Sequence, residues 1–531
     1  MSDNILKGPI LDYVPCTTLG QFFFEATKKY ENRICQIDVL RDQHETYSSV
    51  RKRSTRVALE MQKRGITFED VVVTCSSSTI DTAIPILATF YLGAKIANLD
   101  ITLSVRQVTH LLSLVSPKMI FVEESAVGLI EKSVENASLK AEIVVFGESP
   151  NYSTFTDFVK PQENEDQFKP VVVDLEETTV MYFSSGTTGL PKAICHSNRS
   201  VLHFAFSFDN STEHLDAVLS FSSFYWITAM IFLTSIFISG GHRIICGNKV
   251  EAERTFNIIE KYKVTYMFVA PILSYQLTNF DNYQSYDTSS LRTIMTAGTA
   301  LSTTQFIKLS TIFPGVDIIG CYGQTEVCVI SMFDTKSDKK LIRVKNQSSG
   351  KVITGITLKI VDPDTNKIMS RYQNGEIRVK SSAIMKGYYR ADSTEVFDGE
   401  GFLKTGDVGY FDEDGCVYIV ERLKEMFKYL SWHIVPTAIE SILFEHPGVK
   451  EAVVFGFPKN EEEGELPAAC IVVNEGFCVT EKEIEEFVAN RVSDREKLRG
   501  GVYFVKEIPK TPSGKAMRKE VRKSVINSPN K

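Results

Sequence analysis

Ser184-Ser185-Gly186-Thr187-Thr188-Gly189-Leu190-Pro191-Lys192 is the stretch on which the reading of this chain turns. It follows the apolar, strand-like Val180–Phe183. Glycines let a backbone approach a ligand closely, and successive amides form a nest for an anion. The hydroxyls of Ser184, Ser185, Thr187 and Thr188 add donors, and Lys192 balances phosphate charge. Together these groups suit the triphosphate of ATP. No Ser or Thr follows a Gly-Lys pair, so this is not the Walker arrangement, and it is not a dinucleotide fingerprint either. Taken alone, the run also reads as a Gly- and Thr-rich surface turn.

Working outward, the first 150 or so residues alternate helical stretches with short apolar strands. Thr46–Lys63 reads as a cap and an amphipathic helix, and Val71–Cys75, Met119–Val122 and Ile143–Phe146 read as strands. Strands separated by helices predict a largely parallel, helix-covered sheet. After about residue 335 the pattern changes. Short strands such as Gly375–Val379 and Cys416–Val420 lie among Gly and Asp turns and predict a smaller β-rich part. Pro436–Phe444 and Glu481–Val488 then read as helices, with Glu451–Phe457 and Ala468–Val473 as strands.

At 531 residues the chain is too long for one ordinary core. Hydrophobic residues make up 43%, charged residues 24%, and the net charge is -7, a balance that argues against nucleic acid as the main partner. Trp226–Gly240 contains Thr and Ser and is too short to span a bilayer, so it reads as buried core and no integral membrane segment is expected. Ten cysteines without a CxxC pair predict neither a disulfide framework nor structural zinc. With no apparent signal region and no Ser-Lys-Leu tail, a cytoplasmic location is the expectation.

Other segments carry chemistry of their own. Ala297-Gly298-Thr299-Ala300 lies between a candidate strand, Leu291–Thr296, and a helix beginning near Ser302. Tyr322-Gly323-Gln324-Thr325-Glu326 offers a ring for stacking, a hydroxyl for phosphate and a carboxylate for a hard cation. A loose, polar helix start is the alternative there. Asp407, within Thr405-Gly406-Asp407, has acceptor oxygens for hydroxyls, or caps a turn. Pro509-Lys510-Thr511-Pro512-Ser513-Gly514-Lys515 presents a long cation after rigid prolines, or belongs to a solvated basic tail.

SSGTTGLPK at Ser184–Lys192, YGQTE at Tyr322–Glu326, TGD at Thr405–Asp407, ERLKE at Glu421–Glu425 and PKTPSGK at Pro509–Lys515 occur in this order. By these motifs the whole chain resembles the adenylate-forming superfamily of acyl-CoA synthetases, coumarate-CoA ligases and beetle luciferases. The resemblance implies an α/β fold, with a large, multi-subdomain N-terminal AMP-binding domain at 1–421 and a smaller, mobile α+β C-terminal domain at 422–531. It assigns ATP to Ser184, Ser185, Gly186, Thr187, Thr188 and Gly189, with Gly298, Thr299 and Ala300 as adenine and acyl pocket wall. Tyr322, Gly323 and Thr325 complete the nucleotide site, and Glu326 is assigned to Mg2+. Asp407 takes the ribose hydroxyls and Arg422 the ribose or phosphate.

Lys515, Lys428 and Lys192 are the catalytic candidates. Lys515 serves adenylation, and Lys428 lies on the face presented after rotation about Arg422–Glu425, a lysine on a surface helix being its ordinary alternative. The implied activity is ATP- and Mg2+-dependent adenylation of a hydrophobic or aromatic carboxylic acid. Oxygen-dependent light emission follows in a luciferase, or transfer to CoA in an acyl-CoA ligase; a non-enzymatic nucleotide-binding protein is the remaining alternative. Two features depart from the family. Leu430-Ser431-Trp432 stands where acyl-CoA synthetases have Lys-Gly plus an aromatic, the glycine admitting the CoA arm. Around Ser222-Ser223-Phe224-Tyr225-Trp226 the chain lacks the His-His-Gly-Phe-Gly of beetle luciferases. Length, C-terminus and altered pocket are similar to those of fungus-gnat glowworm luciferases.

Overall fold

The computed structural model describes residues 4–183, 191–247, 251–298, 301–430, 432–460, 464–510 and 516–527. The chain packs as two compact units. The larger comprises Leu6–Leu358 with Val379–Leu403, and the smaller Met1–Ile5, Lys359–Arg378 and Lys404–Lys531. The expected boundary at Glu421/Arg422 falls inside the smaller unit.

Two sheets and their helices build the larger unit. In the first sheet, Thr178–Phe183, Lys95–Leu99, Val71–Cys75, Met119–Glu123, Glu142–Phe146 and Ser153–Thr154 run parallel in that spatial order. All five residues of Val71–Cys75 and all six of Thr178–Phe183 are buried, which is why they read as continuous apolar runs rather than alternating ones. Beyond Thr178–Phe183 the order continues antiparallel, with Ala193–Ser197 and then Gly387–Tyr388.

The second sheet is parallel from Asp317–Gln324 through Thr293–Ala297, Tyr266–Val269, Ala217–Ser220 and His242–Ile245 to Ile34–Asp38. Antiparallel strands close it at both ends. The predicted parallel, helix-covered arrangement is therefore observed, and its exceptions lie at the sheet edges.

Helices Leu19–Lys29, Ala83–Tyr91, Asn198–Asn210 and Ile227–Ser239 form a layer that meets both sheets. Ala83–Tyr91 is buried on every side, and so is Met230–Phe237, the middle of the segment read as core. Thr46 caps Tyr47–Lys63 through the Ser49 amide, as its sequence predicts.

In the smaller unit one sheet orders Ile5–Lys7, Thr357–Val361, Gly375–Lys380, Leu403–Phe411 and Val417–Arg422. The first of these strands, from the start of the chain, had no counterpart in the sequence reading. A second sheet is built on the long hairpin Val449–Asn460 and Gly464–Val473, and the free edge of Gly464–Val473 pairs antiparallel with Phe427–Tyr429, which carries Trp432–Ile434, and parallel with Val502–Phe504. Helices Pro436–Leu443, Glu481–Ala489 and Arg518–Ile526 cover it. The α+β expectation for this part matches these elements.

Candidate active site

In the larger unit, the run Ser184–Lys192 joins two antiparallel strands, Thr178–Phe183 and Ala193–Ser197, with Phe183 opposite Ala193. Residues 184–190 lie outside the described residues, so the assignments of Ser184, Ser185, Gly186, Thr187, Thr188 and Gly189 stay with the sequence. The exit of the run is held by His110, whose Nε2 lies 2.9 Å from the Pro191 carbonyl oxygen. Lys192 follows, exposed, with its Nζ 4.6 Å from the ring centre of Tyr388.

Tyr388 was not singled out by sequence reasoning. Its hydroxyl pKa is raised, first by burial and then by the Glu326 carboxylate, so the ring lies within the field of Glu326 as well as beside Lys192. The backbone adds a second link, because the Met385 amide, three residues before Tyr388, donates to the Glu326 carbonyl at 2.7 Å. Lys192, Tyr388 and Glu326 thus converge from three separate segments. A cleft of about 470 Å³ opens at Tyr388, lined among others by Thr178, Cys195 and Arg390.

Tyr322-Gly323-Gln324-Thr325-Glu326 is not a helix start. Tyr322, Gly323 and Gln324 end the strand Asp317–Gln324, and Thr325 and Glu326 turn the chain back into Cys328–Met332. Tyr322 is buried, while Thr325 and Glu326 are half-buried. Gly323 is required by a close approach, since a Cβ there would collide with the Cys328 carbonyl.

Below this turn lies His196, fully buried on Ala193–Ser197. Its Nε2 is 2.7 Å from the Thr325 carbonyl, and burial pushes its pKa down to about 4, the Thr325 contact opposing that shift. Gly298 follows Thr293–Ala297 at φ +91, a conformation that favours glycine, and the helix expected to begin near Ser302 is Thr303–Ile312, which Ser302 caps. Thr299 and Ala300 lie outside the described residues.

The segment Ser222–Trp226 divides its side chains. Ser223 and Phe224 are buried, Ser223 donating to Asp100 at 3.1 Å and Phe224 packing under the Arg243 guanidinium at 5.3 Å. Trp226 is 40% exposed and meets Tyr225 edge to face. Only the last two rings therefore offer surface to a ligand.

In the smaller unit, Asp407 and Arg422 are directly opposed on the antiparallel strands Leu403–Phe411 and Val417–Arg422. Arg422 Nε lies 2.7 Å from Asp407 Oδ1, and the Asp407 amide donates to Thr405 Oγ1 at 3.1 Å. The two residues assigned to ribose and phosphate are thus brought together by strand register, fifteen residues apart in the chain. Lys428 is on a strand, Phe427–Tyr429, rather than a helix, and its Nζ is 4.0 Å from Asp364 across an exposed surface. Lys515 lies outside the described residues, but Lys510 and Ala516, on either side of its loop, pair as a β-bridge. Ser431 is likewise not described.

Among the described residues no cluster of three metal-ligating side chains occurs. A lone carboxylate, Glu326, fits Mg2+ delivered with ATP, because that ion is commonly bound through one or two carboxylates plus substrate phosphates and water.

These features belong to a protein that activates carboxyl groups with ATP. The chain is a member of the AMP-binding enzyme family, whose model matches residues 23–389, while the AMP-binding enzyme C-terminal domain matches 438–515. It is an adenylate-forming enzyme, and members of this family use ATP and Mg2+ on small carboxylic acids. The luciferin 4-monooxygenase of Photinus pyralis is 30% identical over 99% of this chain and 98% of its own. The 4-coumarate–CoA ligase 2 of Nicotiana tabacum is 29% identical over 98% of this chain and 97% of its own. Among solved structures, the luciferase-like enzyme from the nonluminescent Zophobas morio mealworm is 51% identical. It superposes with a TM-score of 0.78, covering 80% of this chain and 100% of that one. Among the described residues no helix is long and apolar enough to cross a membrane.

Proposed function

We propose that the enzyme adenylates a hydrophobic or aromatic carboxylic acid and passes the acyl group to CoA. The observation that carries the first half is the convergence of Lys192, Tyr388 and Glu326 beside the phosphate run. In the first step an acid oxygen attacks the α-phosphorus of ATP, a P–O bond forms, and pyrophosphate leaves. Ser184, Ser185, Gly186, Thr187, Thr188, Gly189 and Lys192 hold the phosphates, and Thr325 donates to them. Tyr322, Gly323, Gly298, Thr299 and Ala300 wall the adenine. Asp407 accepts from the ribose hydroxyls, and Arg422 orients Asp407 while completing that contact. Mg2+, when held by Glu326, neutralises phosphate charge and orients the leaving group. Lys515 supplies positive charge to the transferring group and needs no lowered pKa for that role.

In the second step the thiolate of CoA, its thiol proton lost to solvent, attacks the acyl carbonyl carbon, the bond to the AMP phosphate oxygen breaks, AMP leaves and a thioester forms. We assign the change of catalytic face to movement of residues 422–531 about Arg422–Glu425, which presents Lys428. Support for CoA as acceptor comes from similarity to a coumarate–CoA ligase along the whole chain, and the 51% identity to a luciferase-like enzyme of a nonluminescent mealworm weighs against light. Oxygen-dependent light emission is the second reading. Ser431, in place of the glycine that admits the CoA arm, and the similarity to a luciferin 4-monooxygenase favour it.

An ATP-fed assay with fatty acids, aryl acids and candidate luciferins, following AMP, acyl-CoA and photons together, tests both readings. CoA-dependent thioester without light is the expected result; oxygen-dependent light without a CoA requirement selects the second reading. Lys515→Ala is expected to slow acid-dependent ATP–pyrophosphate exchange by about 10²–10³-fold, on the scale of losing one preorganised electrostatic donor, with ATP binding little changed.

A further inference from the structure

We infer that His196 is a positioning residue for the adenylation centre, aiming Thr325 and Glu326 at the phosphates by holding the Thr325 carbonyl. A carbonyl only accepts, so at 2.7 Å the imidazole donates its Nε2 proton. That fixes the tautomer, with Nδ1 as the acceptor, 3.3 Å from Ser200 Oγ. The ring is wedged edge to face between Tyr182 and Phe204, with centroids at 6.1 and 6.0 Å, so it has little freedom to leave this geometry.

His196 also ties together two motifs that are distant in the chain. It sits four residues after Lys192 on the strand leaving the phosphate run, and its partner is in the Tyr322–Glu326 turn. The next carbonyl, that of Glu326, is held at 2.7 Å by the Met385 amide. With two successive carbonyls pinned, the backbone directions at Thr325 and Glu326 are set relative to the strand that carries Lys192. Burial keeps the ring neutral, its pKa being down at about 4, so it contributes direction and no charge near the phosphates.

The inference rests on the assignment of Thr325 and Glu326 to phosphate and Mg2+. His196→Leu removes the donor and keeps the apolar bulk, whereas His196→Gln restores an N–H at similar reach. Both are read by calorimetric binding of Mg·ATP, by the Mg2+ midpoint of pyrophosphate exchange, by KM for the acid and by melting temperature.

His196→Leu is expected to weaken Mg·ATP binding about 10-fold, the scale of one buried hydrogen bond, and to raise the Mg2+ midpoint. KM for the acid should stay within about two-fold, since Thr325 and Glu326 face phosphate and ion. His196→Gln should recover most of the loss. Wild-type Mg·ATP binding in His196→Leu, or a His196→Gln that melts normally yet binds as poorly as the Leu variant, overturns the proposal.

Should His196→Leu not fold, the wild-type enzyme gives the answer through the His196 Nε2–H resonance, assigned by its loss in His196→Gln. It is expected to shift on titration with Mg·ATP, and an unmoved resonance overturns the proposal. Glu326→Gln serves as the control. If it leaves Mg2+ dependence intact, the assignment of Glu326 has failed rather than the role of His196 alone.

Discussion

Phe23 and Arg518 each occupy the centre of a junction between helices, one made of rings and the other of charges. In the larger unit Phe23 stacks on Phe90 at 5.6 Å and meets Phe237 edge to face at 4.8 Å, joining three helices of the inner layer with no polar contact among the rings. In the smaller unit Arg518 reaches Glu440 at 2.8 Å, Glu425 at 3.2 Å and Glu421 at 3.8 Å. It thereby links the last helix to Pro436–Leu443, to Glu425 at the end of the proposed hinge and to Glu421 just before its start. The hydrophobic burial that drives ring packing is non-directional and little affected by moderate salt or pH. A guanidinium with three carboxylates is directional, and it stabilises only while every partner is in place. The first suits a layer that stays closed. The second suits a segment whose backbone we propose turns during the catalytic cycle.

Substitutions at the two centres separate these modes. Phe23→Ala should cost about 3–5 kcal/mol of stability, unchanged between low and high salt, in chemical unfolding of the larger unit. Arg518→Met should cost a similar 3–5 kcal/mol or so at neutral pH, because it leaves buried carboxylates unpaired. Unlike the Phe23 loss, that cost should shrink on acidification. Glu440 is already raised by burial, with Arg518 opposing that shift, and a raised carboxyl loses stability as pH rises through its folded pKa. Adding Glu440→Leu to Arg518→Met should recover part of the loss. Equal pH profiles for Phe23→Ala and Arg518→Met would abolish the distinction.

Acid sensitivity in the larger unit should come instead from histidines whose pKa burial holds down, His196 with His203 and His242. The folded pKa of His196 is depressed to about 4 from an ordinary 6.5, so the unfolded chain binds a proton that the folded chain does not. Stability from this group is complete above about pH 6.5 and is lost as pH falls towards 4. By linkage the loss is on the order of 3 kcal/mol. His196→Gln should partly flatten the stability profile in that window, measured as the denaturation midpoint from pH 7 to 4. The smallest effect is expected at Thr18, which caps Leu19–Lys29, the helix that carries Phe23, in a reciprocal box with Gln21. Thr18→Ala should cost about 1 kcal/mol and leave both junctions otherwise intact.

Much of the architecture was legible locally. Thr46 before Tyr47–Lys63, the buried runs Val71–Cys75 and Thr178–Phe183, and Ser302 before Thr303–Ile312 carry signals within a few residues of themselves. Lys428 and the Tyr322–Glu326 turn were harder to read, because short polar-flanked segments have no decisive period. Their strand character comes from partners, Trp432–Ile434 for one and Cys328–Met332 for the other. Tyr388 and His196 carried no motif. A tyrosine after a glycine and a histidine in an apolar strand acquire meaning only when Lys192, Glu326 and Thr325 are brought to them.

By itself the sequence determined the α/β class and, through five ordered motifs, the adenylate-forming family. Helix caps, apolar periods and motif spacing are local properties, written within a few residues of one another. Only the tertiary structure decided that Asp407 faces Arg422, that the phosphate run lies between antiparallel strands, and that a neutral histidine supports the Thr325 turn. Those facts depend on strand register and on which buried polar group finds a partner, and both are settled by residues far apart in the chain.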